Sequence, residues 1–292
     1  MSSHKALYSQ SAKASAFNRK KQRGVGLPSR VTQWLFFVAY VVPIGWIVVT
    51  SFKSPQDVLS REKAFVFTPT LDAYAGAITG DGFLRAVAQS FLIASGTTLL
   101  TLALAIPAGY GLARAGGRFT TIVLSALVIL QMLPQTASVI PLFQIFAVWG
   151  VLNSLPALVL ANTAHFLPFA VLLIRPFFRS VPIAVEEAAA IDGAGRLRTF
   201  GSVALPIARN GVATTATLIF LISWGEFLYA VNFLLSANNY PLSALLASQV
   251  SAFGIDWPGL MALAVITSIP ILILFSFTYR LLREGLTIGA VK

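Results

Sequence analysis

The feature that most constrains this chain is a series of long apolar windows, near residues 32–51, 88–112, 119–141, 155–175, 211–235 and 259–279, that carry almost no charge. A helix needs about 20 apolar residues to cross the hydrocarbon core of a bilayer. Windows of that length have no hydrophilic face with which to meet water, so they cannot lie on the surface of a soluble domain. Composition agrees: 57% of the 292 residues are hydrophobic and 11% are charged, beyond what a soluble domain of this size can solvate. The expected fold class is all-α, a polytopic membrane protein with six transmembrane helices, and the length leaves no room for a large soluble domain.

The net charge of +11 is placed on one side of these windows. Lys5, Lys13, Arg19, Lys20, Lys21, Arg23 and Arg30 crowd the first thirty residues, and no acidic residue occurs before Asp57. Alternate loops add Arg114, Arg118, Arg175, Arg179, Arg196, Arg198, Arg209, Arg280, Arg283 and Lys292, which brings 17 of the 21 basic residues to one side. The other side holds Lys53, Arg61, Lys63 and Arg85, matched by Asp57, Glu62, Asp72 and Asp81. The positive-inside rule therefore predicts both termini in the cytoplasm. The expected divisions are a basic cytoplasmic tail over 1–31, a transmembrane domain over 32–279 with its largest cytoplasmic loop at 176–210, and a cytoplasmic C-terminal tail over 280–292. The apolar run from Trp34 to Thr50 is longer than a usual signal-peptide core and lacks a convincing small-residue cleavage site, so a retained first helix is expected.

Enzyme chemistry finds little support. There is no cysteine, no His-Glu-x-x-His, no Gly-x-Ser-x-Gly, and only His4 and His165 to serve as base or metal ligand. No Gly-x-x-x-x-Gly-Lys-Ser/Thr loop is present to cradle ATP phosphates, so an ATP-driven process would need the nucleotide and its Mg on another chain. No cofactor or metal is expected on this chain, and the basic charge reads as membrane orientation rather than nucleic-acid binding.

Within the windows, Pro43, Pro107, Pro134, Pro141, Pro168 and Pro270 free backbone carbonyls that neighbours or cavity water must satisfy. Glu226, in Trp224-Gly225-Glu226-Phe227-Leu228-Tyr229, is the clear intramembrane acid, and such residues mark either a pathway or an interhelical hydrogen bond. His165 is the other polar outlier, and Trp224 is an aromatic suited to a sugar face or to packing. The three form a candidate set for pathway or packing.

The loop 176–210 reads as two short helices. Ser180 reads as an N-cap with Pro182 in the first turn; Glu186 and Glu187 lie where a helix dipole favours anions, and Gly193 can end the helix. The second piece runs from about Arg196 to Ala204 and stops before Pro206. Ala188, Ala189, Ala190, Gly193, Ala194 and Gly195 form a surface of small side chains that lets a partner backbone approach closely.

Glu187-Ala188-Ala189-x-Ile191-Asp192-Gly193-Ala194, followed by Leu205-Pro206, resembles the EAA loop of binding-protein-dependent transport permeases. Ser51-Phe52-Lys53, Tyr74, Trp224-Gly225-Glu226-Phe227 and the ending Gly285-Leu286-Thr287-x-Gly289-Ala290-Val291-Lys292 are similar to the MalG-like subunits of carbohydrate ABC importers. The chain departs from that pattern at Gly225, Gln89, Asn210 and Tyr279. The resemblance implies a permease subunit in a bacterial or archaeal inner membrane, forming half of the pathway for a sugar, oligosaccharide or sugar derivative. It also implies a second permease, two ATPase subunits and an extracytoplasmic solute-binding protein as partners. By similarity, Glu187, Ala188, Ala189, Asp192 and Gly193 are the ATPase-coupling residues. An ion-coupled secondary transporter of a small polar solute is the alternative; it calls for internal repeats and several intramembrane charges that the sequence lacks.

Overall fold

The computed structural model describes residues 27–80, 82–251 and 254–288. Most of the basic tail and the last four residues lie outside that set. The chain divides into two compact units, Met1–Thr50 and Ser51–Lys292. The first contributes α1 (Leu27–Thr50), whose stretch Val31–Thr50 is apolar around its whole circumference and long enough to span.

The second unit begins with two short helices, α2 (Pro55–Val58) and α3 (Asp72–Thr79). Its centre is the directly packed pair α4 (Phe83–Arg114) and α7 (Leu155–Arg179), which α5 (Gly117–Met132) and α6 (Gln135–Val148) connect along the chain. The helices α4 and α7 run parallel, since Gly96 faces Val159 and Gly109 faces Ile174. A Cβ at Gly109 would lie 2.4 Å from Ile174 Cγ2, so this crossing exists because position 109 has no side chain. Along α4 the buried face is built of small residues, among them Ala86, Ser90, Ala94, Thr97, Thr101 and Ala105, which suits close packing without a hydrophobic driving force between helices.

After α7 come α8 (Ile183–Ile191), α9 (Arg196–Thr199), a π-helical turn (Phe200–Ala204), α10 (Leu205–Ile207) and α11 (Arg209–Trp224). Next are α12 (Leu228–Phe233), a 3₁₀ turn (Ala237–Asn239) and α13 (Leu242–Ser248). A two-residue antiparallel pairing of Val250–Ser251 with Gly254–Ile255 leads into α14 (Trp257–Ile288). Helix α11 packs on α4, α7 and α14, and a Cβ at Gly211 would lie 2.1 Å from Phe177 Cγ.

Four described helices are long and apolar enough to cross a membrane, and the number reaches six when each of two bent pairs counts as one span. The third apolar window is therefore not one straight helix. Helices α5 and α6 meet at 91°, because Pro134 lacks an N–H and forces Leu133 into an extended conformation (ψ 127°). The segment Arg196–Ile207 meets α11 at 75°, and Pro206 sits inside it rather than ending it. The window 211–235 is likewise interrupted, with helix to Trp224 and again from Leu228. At the C-terminal end the helix runs without a break to Ile288, beyond the boundary at 280, because Leu, Arg and Glu favour its continuation.

Candidate functional site

The helix α8 starts after Pro182, two residues later than the capping reading of Ser180. Ser180 instead closes α7, donating its hydroxyl to Phe177 O at 2.8 Å, and Pro182 occupies the N-cap position of α8. The far end of α8 is a complete Schellman motif. Gly193 N donates to Ala190 O at 3.1 Å and Ala194 N donates to Ala189 O at 2.9 Å, with Gly193 at φ +85°. A positive φ is costly for any residue with a Cβ, which is the local reason for glycine here.

Glu187, Ala188, Asp192 and Gly193 are exposed and Ala189 half-buried, so the five residues share one helix and its terminal turn. No described residue bonds to the Asp192 side chain, which leaves its carboxylate facing outward. The surface is less smooth than the alanine run implies. Ile191 and Leu197 flank Gly193, each 86% exposed, and Ile183 and Val185 are exposed near the other end of α8. Burying side chains of this size contributes about 1.5–3 kcal/mol each, so a surface that combines them with carboxylates and a small-residue stretch is suited to a protein partner more than to lipid.

Behind this surface, Glu186 turns inward. Its carboxylate accepts a forked pair from Arg114 at the end of α4, with Nε at 3.1 and 3.0 Å from the two oxygens and Nη2 at 2.5 Å from Oε1. Tyr110 donates its hydroxyl to Glu186 Oε2 at 3.0 Å, and Arg114 Nη2 also donates to Val181 O at 3.1 Å. The Arg114 guanidinium holds the Glu186 carboxyl below the usual carboxylate range, winning over the burial that pushes it up. The Tyr110 ring packs on Phe178 and Phe200, with centroids 5.5 and 4.9 Å away, so residues on both sides of α8 close around it.

The second candidate set separates. Glu226 is buried at the break between α11 and α12, where it accepts Tyr229 N at 2.7 Å, Ala230 N at 3.3 Å and Gln135 Nε2 at 3.0 Å. It caps α12 and ties it to the elbow between α5 and α6. His165 contacts the same Tyr229 edge-on, centroids 6.0 Å apart, and lines a cavity of about 390 Å³ with Ser138, Pro134 and Pro168. Trp224 lies elsewhere, stacked on Phe220 with its indole N–H donating to Thr267 O at 3.2 Å, so it packs α11 against α14.

Residues 105–288 match the family described as binding-protein-dependent transport system inner membrane component. The chain belongs to that family. It is 31% identical over 263 residues to the diacetylchitobiose uptake system permease protein DasC of Streptomyces coelicolor, covering 90% of this chain and 95% of the relative. It is 32% identical over 272 residues to the trehalose transport system permease protein SugB of Mycobacterium tuberculosis, covering 90% and 98%. Among solved structures, a chain of a bacterial ABC transporter for import of the acidic polysaccharide alginate superposes with a TM-score of 0.66 at 13% identity, over 96% of this chain and 99% of that one. At that identity the likeness is one of fold.

In this inner-membrane transport component, Arg114 and Tyr110 bond to Glu186 and Gln135 bonds to Glu226, contacts that sequence reasoning did not single out. Arg114 and Glu186 are 72 residues apart, and no local pattern joins them. The available signal was chemical: Glu186 immediately precedes the Glu187-Ala188-Ala189 run, and Arg114 is the last residue of a spanning helix. The departure at Gln89 has a role here, since its amide donates to Asn238 O at 2.7 Å.

Proposed function

We propose that this chain is one of the two membrane-spanning halves of an ATP-driven importer for a sugar, oligosaccharide or sugar derivative. The half is coupled to a separate ATPase through α8 and its terminal turn. Both termini lie in the cytoplasm, and the partners are a second permease, two ATPase subunits that hold ATP and Mg, and an extracytoplasmic solute-binding protein. The solute class rests on the relatives named for trehalose and diacetylchitobiose transport.

The single observation that carries the coupling role is the surface of α8. Glu187, Ala188, Asp192 and Gly193 are presented outward on a helix closed by a Schellman turn, rimmed by exposed Ile191 and Leu197. A lever has to be stiff. A capped helix with fixed ends moves as a body when a partner seats on it, whereas a loose loop would absorb the displacement.

The test is affinity purification of the tagged chain from its native membrane in mild detergent, followed by reconstitution of what accompanies it. Recovery of an ATPase, a second permease and a binding protein, with sugar uptake dependent on ATP, is the expected result. Uptake by the chain alone that collapses with an ion gradient would overturn the proposal.

A further inference from the structure

The coupling helix α8 is joined by the chain to α7 on one side and, through α9 and α10, to α11 on the other. No segment of backbone joins it to α4. The side chains supply that third attachment. Arg114 grips Glu186 in a fork and holds Val181 O with the same guanidinium, while Tyr110 adds its hydroxyl to the carboxylate. Both ionic side chains are largely buried, at 19% and 12% exposure, where a forked pair has fixed geometry and little competition from water.

The helix on the other side of this clasp is long. With 32 residues, α4 extends about 48 Å at 1.5 Å per residue. Its opposite end is tied by three further bonds to the segment 238–242. Arg85 Nη1 donates to Asn238 Oδ1 at 3.0 Å, Gln89 Nε2 donates to Asn238 O at 2.7 Å, and Ser90 Oγ accepts Leu242 N at 2.8 Å. The same rod therefore holds the coupling helix at one end and the connection between α12 and α13 at the other.

We propose that the Glu186–Arg114–Tyr110 clasp locks α8 and α4 into one rigid body. A displacement of the coupling surface then reaches the 238–242 segment through α4 as well as through the backbone into α7 and α11. Glu186 is thus a positioning residue for coupling and does not belong to the docking surface, which its inward direction and low exposure support. This inference rests on the reading of α8 as the ATPase-coupling surface.

The test uses the complete importer in proteoliposomes, with uptake of the co-purified binding protein's sugar and ATP hydrolysis measured together. Glu186→Gln keeps the ATPase in the complex and hydrolysis within twofold, but lowers solute moved per ATP about tenfold. Arg114→Gln gives the same loss, and the double variant is no worse than either single one, as expected of groups acting as a unit. Wild-type solute per ATP in Glu186→Gln overturns the proposal, as do losses that multiply in the double variant. Release of the ATPase by Glu186→Gln also overturns it, because Glu186 would then be a docking group.

Because this chain has no cysteine, a second measurement introduces its only two thiols. In the Glu186→Cys, Arg114→Cys pair, closing a short bifunctional thiol crosslink restores solute per ATP if α8 and α4 move together. If the crosslink instead stops transport, the two helices move against one another and the clasp is not rigid. Ala188→Trp on the outward face serves as the control. It is expected to release the ATPase; if the ATPase stays and uptake continues, the coupling-surface reading is what fails.

Discussion

Gly193→Ala separates what the turn at the end of α8 needs from what a partner seated on the proposed coupling surface needs. Gly193 stands at φ +85°, where a residue with a Cβ costs about 1–2 kcal/mol. A Cβ built there meets no atom within 4 Å, so the structure adds no steric term and the whole effect is conformational. That energy lowers the population of the native turn relative to alternatives by a factor of roughly 5–30. It acts on two hydrogen bonds, Gly193 N to Ala190 O and Ala194 N to Ala189 O, at an exposed helix end, so the spanning core keeps its packing. Uptake per molecule is therefore expected to fall by up to that factor, with membrane abundance within twofold of wild type. Gly193→Asn is the discriminating companion, because asparagine tolerates the left-handed region better than alanine while carrying a larger side chain. It is expected to transport better than Gly193→Ala. Unchanged uptake in Gly193→Ala, or an asparagine variant worse than the alanine one, would refute the conformational argument; the second result would make the missing side chain itself the requirement.

Three other outcomes follow from the packing and the charges. Gly211→Ala drives a Cβ to 2.1 Å from Phe177 Cγ, so overpacking of about 1–3 kcal/mol is expected to lower the thermal midpoint of the detergent-solubilised protein and reduce its abundance together with uptake. Glu226→Ala leaves the Tyr229 and Ala230 N–H groups and the Gln135 amide without their acceptor, at about 1–3 kcal/mol for each buried group left unpaired. Its thermal midpoint should drop well below that of Glu226→Gln, which keeps one acceptor oxygen; equal midpoints would remove Glu226 from its capping role. Glu186 has a pKa below its ordinary value because of Arg114, so its contribution is present above the ordinary carboxylate range and is lost as pH falls through the lowered value. Acid titration of stability should therefore be steeper in wild type than in Glu186→Gln, and identical profiles would deny the clasp a stabilising role.

The turn that ends α8 at Gly193 was legible because its determinants are local. A glycine after an alanine-rich helix encodes a helix stop wherever the rest of the chain goes, whereas the downstream Leu205-Pro206 does not end its helix. Helix starts and breaks were read less well. Ser180 has a capping side chain, yet it finishes α7, since Phe177 O lies within its reach and Pro182 already supplies the extended residue that α8 needs. The proline at 134 was visible as a perturbation, but a 91° elbow depends on what supports the bend, here Gln135 bonded to Glu226 from a window 91 residues away.

By itself the sequence determined that this chain is a bundle of membrane helices and that a small, glycine-terminated helix lies between two spans. These follow from hydrocarbon thickness and from backbone propensities that act over a few residues. Only the tertiary structure decided that Gln135 bonds to Glu226, that Trp224 packs α11 against α14 while His165 meets Tyr229, and that Arg114 closes on Glu186. Those assignments depend on which helix faces are brought together, and in a chain with small residues on many faces, packing rather than hydrophobicity makes that choice.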